Sequence, residues 1–118
     1  MPHFVLEYSD NVTQRVDWNA LFSGLHQAVA QAGASLQNCK SRAIRHDTYY
    51  VADGRPGAAF VHLTVGVLAG RTDEEKAALT RRCLDLLAEA FRPSLDSLDV
   101  QLSVELRDLH RESYQRLP

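Results

Sequence analysis

The sequence predicts an α+β fold in which two β-α-β units form one four-stranded sheet, with two helices on one face. Period-two alternation of apolar and polar residues, typical of strands, occurs in both halves of the chain. Helical stripes of apolar residues lie between the alternating segments. The order strand–helix–strand therefore occurs twice, at about residues 2–55 and 58–110. Each unit of roughly fifty residues suits one crossover helix between parallel strands, and 118 residues are enough for a single domain.

The first unit begins with alternation over residues 3–8, which predicts a strand. The turn-forming run 9–11 ends it. A helix is predicted over residues 18–32, because an apolar stripe with a spacing of four runs along it. Asp17 is the expected N-cap and Gly33 the expected end.

A less regular mixture of apolar and polar residues over 39–51 predicts the second strand. Residues 52–57 are predicted to form a loop because they contain glycine and proline. The second unit begins with alternation over residues 60–67, which predicts its first strand.

The second helix is predicted to follow a capping box, in which the Thr72 hydroxyl and the Glu75 carboxylate each accept a backbone N–H of the other residue. An apolar face continues to Phe91, and Pro93 is expected to stop the helix. The alternation over residues 100–107 predicts the fourth strand.

Composition excludes several classes of partner. The chain is 45% hydrophobic and 24% charged, and 13 Lys+Arg against 15 Asp+Glu leave a formal charge of −2, so we expect no nucleic-acid partner. No apolar run approaches the ~20 residues of a membrane helix, and the N-terminus lacks signal-peptide features, so we expect a cytoplasmic protein without a membrane partner. Neither the five histidines nor Cys39 and Cys83 show zinc-ligand spacing. We therefore expect no metal and no cofactor.

The predicted architecture leaves one face of the sheet uncovered. Large apolar residues are expected on several strands of that face, and a two-layer chain of this size buries only about 60–70% of its unfolded surface. We therefore expect this face to pack against other subunits.

A series of short segments resembles one known family. Residues 2–11 look like the start of the 5-carboxymethyl-2-hydroxymuconate isomerases, a family of the tautomerase superfamily. Further matches follow in order and at near-identical spacing: Lys40-Ser41-Arg42, Asp47-Thr48, Ala52-Asp53-Gly54, Phe60-Val61-His62 and Gly70-Arg71. Residues 70–76 are also similar to the segment that opens the helix of the short tautomerases. The resemblance covers most of residues 2–110, depends on the ordered series, and implies a homotrimer, as in the fused-pair relatives.

The resemblance implies that Pro2 is the catalytic residue. In the family, removal of the initiator methionine leaves a proline whose secondary amine shuttles a proton. An α-amino group titrates near pH ~7.7–8.0, and nearby cations lower its pKa, which suits general acid–base catalysis. The alternative is that Pro2 merely precedes a strand. If Met1 is retained, the nitrogen of Pro2 is an amide and the mechanism fails.

Three cations are the expected substrate-binding residues. By resemblance Arg71 contacts substrate, at the mouth of a helix N-terminus that also favours an anion. Lys40 stands where the relatives carry arginine, and Arg42 lies two residues on, hence on the same strand face. The lysine ammonium is a point charge, whereas an arginine guanidinium can donate two parallel hydrogen bonds to a carboxylate. This difference leaves the identity of the substrate undetermined. The alternative for all three is a solvated surface charge.

The resemblance thus implies an isomerase that catalyses keto-enol or 1,3-allylic tautomerisation of an unsaturated 2-hydroxy di- or tricarboxylate. The expected substrate is the small carboxylate 5-carboxymethyl-2-hydroxymuconate, in the catabolism of aromatic compounds. One alternative is a superfamily enzyme that acts on another keto acid. Another is a catalytically silent oligomeric binding protein on the same scaffold.

Overall fold

The computed structural model describes residues 2–118. The elements follow one another along the chain as β1 (His3–Ser9), α1 (Trp18–Gln31), β2 (Lys40–His46), β3 (Ala58–Leu68), α2 (Asp73–Ala90), α3 (Arg92–Ser97) and β4 (Asp99–Leu109). Short 3₁₀ turns lie at Leu36–Asn38 and Arg111–Ser113. Among the described residues, no helix has the length and apolar character needed to cross a membrane.

The four strands form one sheet in the order β2-β1-β3-β4. The pairs β1–β2 and β3–β4 are parallel, and β1 and β3 are antiparallel where the two units meet. His3 pairs with Lys40 on one side and with Gly66 on the other, and Gly66 pairs with Arg107. The starts of β1 and β2 therefore lie beside the ends of β3 and β4, and we call this end of the strands the Pro2 end of the sheet.

Both long helices cover one face of the sheet. Their apolar stripes join the inward side chains of the strands in a single core. Its fully buried members include Phe4, Leu6, Leu25, Val29, Val61, Leu63, Val65, Cys83, Leu87 and Phe91. Burial of these side chains is the main favourable term for the two-layer arrangement. The predicted α+β fold, with four strands and two helices on one face, is confirmed.

The other face of the sheet is open and more polar than the sequence pattern predicts. Alternation and register place Val5, Ile44 and Phe60 on it, and Ile44 is 43% exposed. These apolar residues are interspersed with pairs such as His46 and Glu7, whose Nε2 and Oε1 atoms lie 2.9 Å apart. Contacts of this face with another subunit would therefore be mixed rather than purely apolar.

The predicted end of the second strand is wrong, whereas that of the second helix is close to the observed one. β2 ends at His46 instead of Val51. The carbonyl of His46 accepts the backbone N–H of Asp10 at 2.9 Å, and the chain then leaves the sheet. The predicted end of the second helix near Phe91 is observed. Pro93 lies in the first turn of a further short helix, α3, which the sequence does not predict, and there its missing N–H sacrifices no helical hydrogen bond. The turn between α2 and α3 occurs at Phe91, the C-cap of α2.

Candidate functional site

Pro2 lies at the end of the sheet, immediately before the central strand β1, and its side chain is fully buried. The backbone N–H of Lys40 donates a hydrogen bond to the carbonyl oxygen of Pro2 at 3.1 Å. The parallel pairing of β1 and β2 thus places the first residue of β2 beside Pro2. Met1 lies outside the described residues, so its expected removal stays a prediction.

Lys40 and Arg42 occupy alternate positions of β2 and share one strand face, as predicted, and the structure shows that this is the open face. Their cross-strand partners are His3 and Val5. Lys40 Nζ donates to the carbonyl of Asn38 at 2.9 Å, and Arg42 Nη1 lies 3.2 Å from His3 Nδ1. Both cationic residues are exposed to solvent, so both are accessible to an anionic ligand.

Arg71 reaches the Pro2 end from the connection between β3 and α2. It is half-buried, and its Nη1 donates a long hydrogen bond of 3.4 Å to the carbonyl of Leu68, the last residue of β3. Its Nε is buried and has no hydrogen-bond partner among residues 2–118. A buried donor without an acceptor costs free energy, and an anionic oxygen of a ligand would satisfy it.

The N-terminus of α2 differs from the expected anion site. The predicted capping box is present: Thr72 Oγ1 accepts the N–H of Glu75 at 3.1 Å, and Glu75 Oε1 accepts the N–H of Thr72 at 2.8 Å. The backbone hydrogen bond from Thr72 lowers the pKa of the Glu75 carboxyl. With Asp73 and Glu74 also in the first turn, the positive end of the helix dipole already faces three carboxylates. An anion at this point would therefore meet the guanidinium of Arg71, because the helix N-terminus is already occupied by its own carboxylates.

A shallow depression of about 310 Å³ lies on the open face at the same end of the sheet. His3 and Arg42 line one side and Arg107 the other. Arg107 is held by Glu105 through two hydrogen bonds of 3.1 and 3.2 Å, so its charge is largely neutralised locally. Arg42 is the cation of this depression that carries no carboxylate partner among the described residues.

All four predicted site residues thus lie at the Pro2 end of the sheet, although they reach it from different sides. Pro2 is buried, Lys40 and Arg42 lie on the open face, and Arg71 follows β3 beside the helix layer. Three cations at one end of the sheet favour an anionic ligand and disfavour another positive charge there. Within residues 2–118, no group of three or more His, Cys, Asp or Glu side chains has a metal-binding arrangement.

Two residues at this end were not among the predicted site residues. His3 contacts Arg42 and also Tyr114, whose hydroxyl lies 2.7 Å from His3 Nε2. Burial, and then the charges of Arg42 and Lys40, lower the pKa of the His3 imidazole. His3 follows Pro2 directly, which is a signal the sequence offers. Tyr114 lies beyond the last predicted strand, and its contact with a residue 111 positions away has no local signature.

Comparison with protein families places these features in context. The family model described as 5-carboxymethyl-2-hydroxymuconate isomerase matches residues 2–117. The 5-carboxymethyl-2-hydroxymuconate Delta-isomerase of Escherichia coli is 33% identical over 111 residues, which is 93% of this chain and 88% of that protein.

Solved structures share the fold. A 5-carboxymethyl-2-hydroxymuconate isomerase from Deinococcus radiodurans R1 superposes with a TM-score of 0.88 at 25% identity, covering 98% of this chain and 88% of that one. A fused 4-OT described as a symmetric trimer superposes with a TM-score of 0.71 at 25% identity, covering 92% and 86%. The sequence similarity and the fold similarity thus agree.

Proposed function

Because the chain belongs to the 5-carboxymethyl-2-hydroxymuconate isomerase family of the tautomerase superfamily, we propose that it ketonises 5-carboxymethyl-2-hydroxymuconate in the breakdown of aromatic compounds. The observation that carries this proposal is the position of Pro2 at one end of the sheet together with Lys40, Arg42 and Arg71. A proton-transferring base and cations for carboxylates are the two components that ketonisation of an anionic dienol requires.

In the proposed reaction the amine of Pro2 carries one proton. The neutral amine accepts the hydroxyl proton of the dienol, so that the O–H bond breaks and a carbonyl group forms as the double bonds shift. The resulting prolinium then returns a proton to a carbon at the other end of the conjugated system, and a C–H bond forms. The reaction is an isomerisation that balances without any other reactant. The fixed ring of proline limits the directions in which its nitrogen lone pair points.

The cations have distinct proposed roles. Arg71 offers a buried Nε donor without a partner among residues 2–118, so it is suited to a carboxylate or to the oxygen that becomes anionic when the proton leaves. Lys40 and Arg42, exposed on the open face, are suited to the remaining carboxylates of the substrate. All three charges disfavour protonation of Pro2 and so favour its basic form.

We further propose a homotrimer in which the open faces of the sheets contribute to the contacts. The supporting observations are the trimeric form stated for the fused 4-OT relative and the single uncovered sheet face of this chain. Closed rotational symmetry would bury the same face in every subunit.

The test combines intact mass with an ultraviolet assay. The purified protein is expected to lack the mass of one methionine and to consume 5-carboxymethyl-2-hydroxymuconate, with phenylenolpyruvate as the simpler comparison enol. A control chain with one lysine inserted before Pro2 has no proline amine and is expected to be inactive although folded. A correctly processed protein that leaves 5-carboxymethyl-2-hydroxymuconate unchanged would contradict the proposed substrate, and an active control chain would contradict the role of Pro2.

A further inference from the structure

The C-terminal segment returns to the Pro2 end of the sheet after β4. Arg111 Nε donates to the carbonyl of Ala69 at 2.7 Å, which fixes the segment beside the connection that carries Arg71. Three residues later the ring of Tyr114 meets His3 edge-on, with centroids 5.9 Å apart and planes at 61°. The Tyr114 hydroxyl lies 2.7 Å from His3 Nε2. Two separate contacts therefore hold this half-buried tyrosine near the predicted site residues.

The direction of these hydrogen bonds follows from the donors available. Arginine has only donors, so the contact between Arg42 Nη1 and His3 Nδ1, at 3.2 Å, requires Nδ1 to accept. The imidazole is then neutral with its proton on Nε2. Burial and the neighbouring charges of Arg42 and Lys40 lower the pKa of His3, which agrees with the neutral form. The Nε2–H group therefore donates to the oxygen of Tyr114.

This assignment leaves the hydroxyl proton of Tyr114 available. Its oxygen accepts from His3, and among residues 2–118 the hydroxyl has no hydrogen-bond contact other than the one with His3. A hydroxyl that accepts one hydrogen bond becomes a better donor in the next, because bonds in a chain polarise one another. A donor of this kind, linked to Arg42 through His3, is suited to an anionic oxygen.

We propose that Tyr114 contacts the substrate and donates a hydrogen bond to one of its anionic oxygens, a carboxylate or the dienolate oxygen, while His3 is the positioning residue that orients the tyrosine. The proposal rests on the proposed function for the identity of the substrate. It adds a neutral donor to the predicted cations and gives the C-terminal segment a role in the site.

The decisive variant is Tyr114→Phe, which keeps the ring contact with His3 and removes the hydroxyl. We expect kcat/KM for 5-carboxymethyl-2-hydroxymuconate to fall about tenfold or more, while the protein stays folded and unfolds in one cooperative thermal transition. Tyr50→Phe is the matched control, because Tyr50 is 78% exposed at the opposite end of the sheet. It is expected to leave kcat/KM unchanged. Wild-type kinetics in Tyr114→Phe would overturn the proposal.

The role of His3 is tested by rescue and by a double-mutant cycle. His3→Gln retains an N–H donor near the position of Nε2 and is expected to stay within about threefold of wild type, whereas His3→Ala should fall to the level of Tyr114→Phe. The double variant should be no worse than Tyr114→Phe alone, since His3 acts through the tyrosine. Additive losses, or no rescue by glutamine, would contradict the positioning role.

A binding measurement separates this proposal from the proposed function. Titration calorimetry with the unreactive dicarboxylate cis,cis-muconate is expected to show affinity weakened about fivefold or more in Tyr114→Phe. If wild type binds muconate but does not isomerise the dienol, the proposed function fails while the loss of affinity still supports the contact by Tyr114. Equal affinities in the two proteins, or no binding by wild type, would overturn the role of Tyr114.

Discussion

The imidazole of His26 stacks on the ring of Phe4, with centroids 5.3 Å apart and planes 28° apart. Its Nε2 also contacts the hydroxyl of Ser41, so that one side chain of α1 links β1 and β2. Burial lowers the pKa of His26 from its ordinary value of 6.5. The contact between helix and sheet therefore favours the neutral imidazole of His26.

The first prediction concerns acid stability. A histidine with a lowered pKa in the folded state is protonated first in the unfolded state, so stability is lost as the pH falls from about 7 through 6.5 and levels off below the folded pKa. His26→Gln should reduce this slope of the unfolding free energy, measured by urea titration between about pH 7 and pH 5. His110→Gln, at an exposed position, is the control. An unchanged slope in His26→Gln would contradict the prediction.

The second prediction concerns the cap of α2. Thr72→Ala removes the hydroxyl that accepts the N–H of Glu75, and we expect the free energy of unfolding to fall by about 1 kcal/mol. Thr80→Ala in the same helix is the matched control, because its hydroxyl bonds to the carbonyl of Ala77 and caps nothing. Loss of equal stability in both variants would show that the cap is not the cause.

The pH dependence of the cap gives an independent check. The lowered pKa of Glu75 means that its stabilising contribution is present above its ordinary value of 4.5 and is lost as the pH falls through the folded pKa. The difference in stability between wild type and Glu75→Gln should therefore shrink toward acid pH. A difference that is constant with pH would argue against a role for the Glu75 charge.

The local elements of the fold could be predicted because their causes are local. The capping box and the N-cap at Asp17 depend on residues three apart, and both are observed. The end of β2 could not be predicted in this way, because β2 is an edge strand whose length depends on where β1 stops. Pro93 is compatible both with the end of α2 before it and with the first turn of a new helix, so its presence alone does not predict α3.

The sequence predicts that the candidate site residues lie near one another at one end of the sheet, but it does not predict the contacts between their side chains. The order of matched segments and the β-α-β pattern suffice to place Lys40 and Arg42 on one face near Pro2. The contact between His3 and Tyr114 joins the two ends of the chain, so it cannot be predicted from the periodicity of any one segment. The carboxylates that already face the start of α2 were visible in the sequence, but their effect on an incoming anion required the observed cap.

The third prediction concerns Arg71. If it binds a carboxylate or the developing enolate, Arg71→Ala should lower kcat/KM by a factor that corresponds to about 2–4 kcal/mol. Arg71→Lys retains the charge but not the Nε donor, and should recover part of the loss. Arg81→Ala serves as the control, because Arg81 is exposed on α2 and pairs with Asp85. Kinetics of Arg71→Ala equal to wild type would return Arg71 to a surface charge.

The fourth prediction concerns assembly. Ile44→Asp places a charge on the open face and should weaken the proposed trimer, whereas Leu36→Asp changes a similarly exposed apolar residue in the turn before β2, outside that face. Sedimentation at micromolar concentration should show trimers for wild type and Leu36→Asp and smaller species for Ile44→Asp. A monomeric wild-type protein would contradict the trimer and the interface together.

The final prediction concerns the amine of Pro2, whose existence requires removal of Met1. Since Lys40, Arg42 and Arg71 lie at the same end of the sheet, their charges oppose protonation of the amine. The acidic limb of kcat/KM against pH should therefore report an apparent pKa below the ~7.7–8.0 of an ordinary α-amino group. Lys40→Ala removes one of these charges and should move the acidic limb to higher pH, which a merely structural lysine would not do.

Pro2→Ala still leaves a primary amine after processing and should retain partial activity, because a base remains but is less well oriented. An acidic limb that stays in place in Lys40→Ala, together with full activity of a chain whose Pro2 nitrogen is acylated, would show that another group is the base.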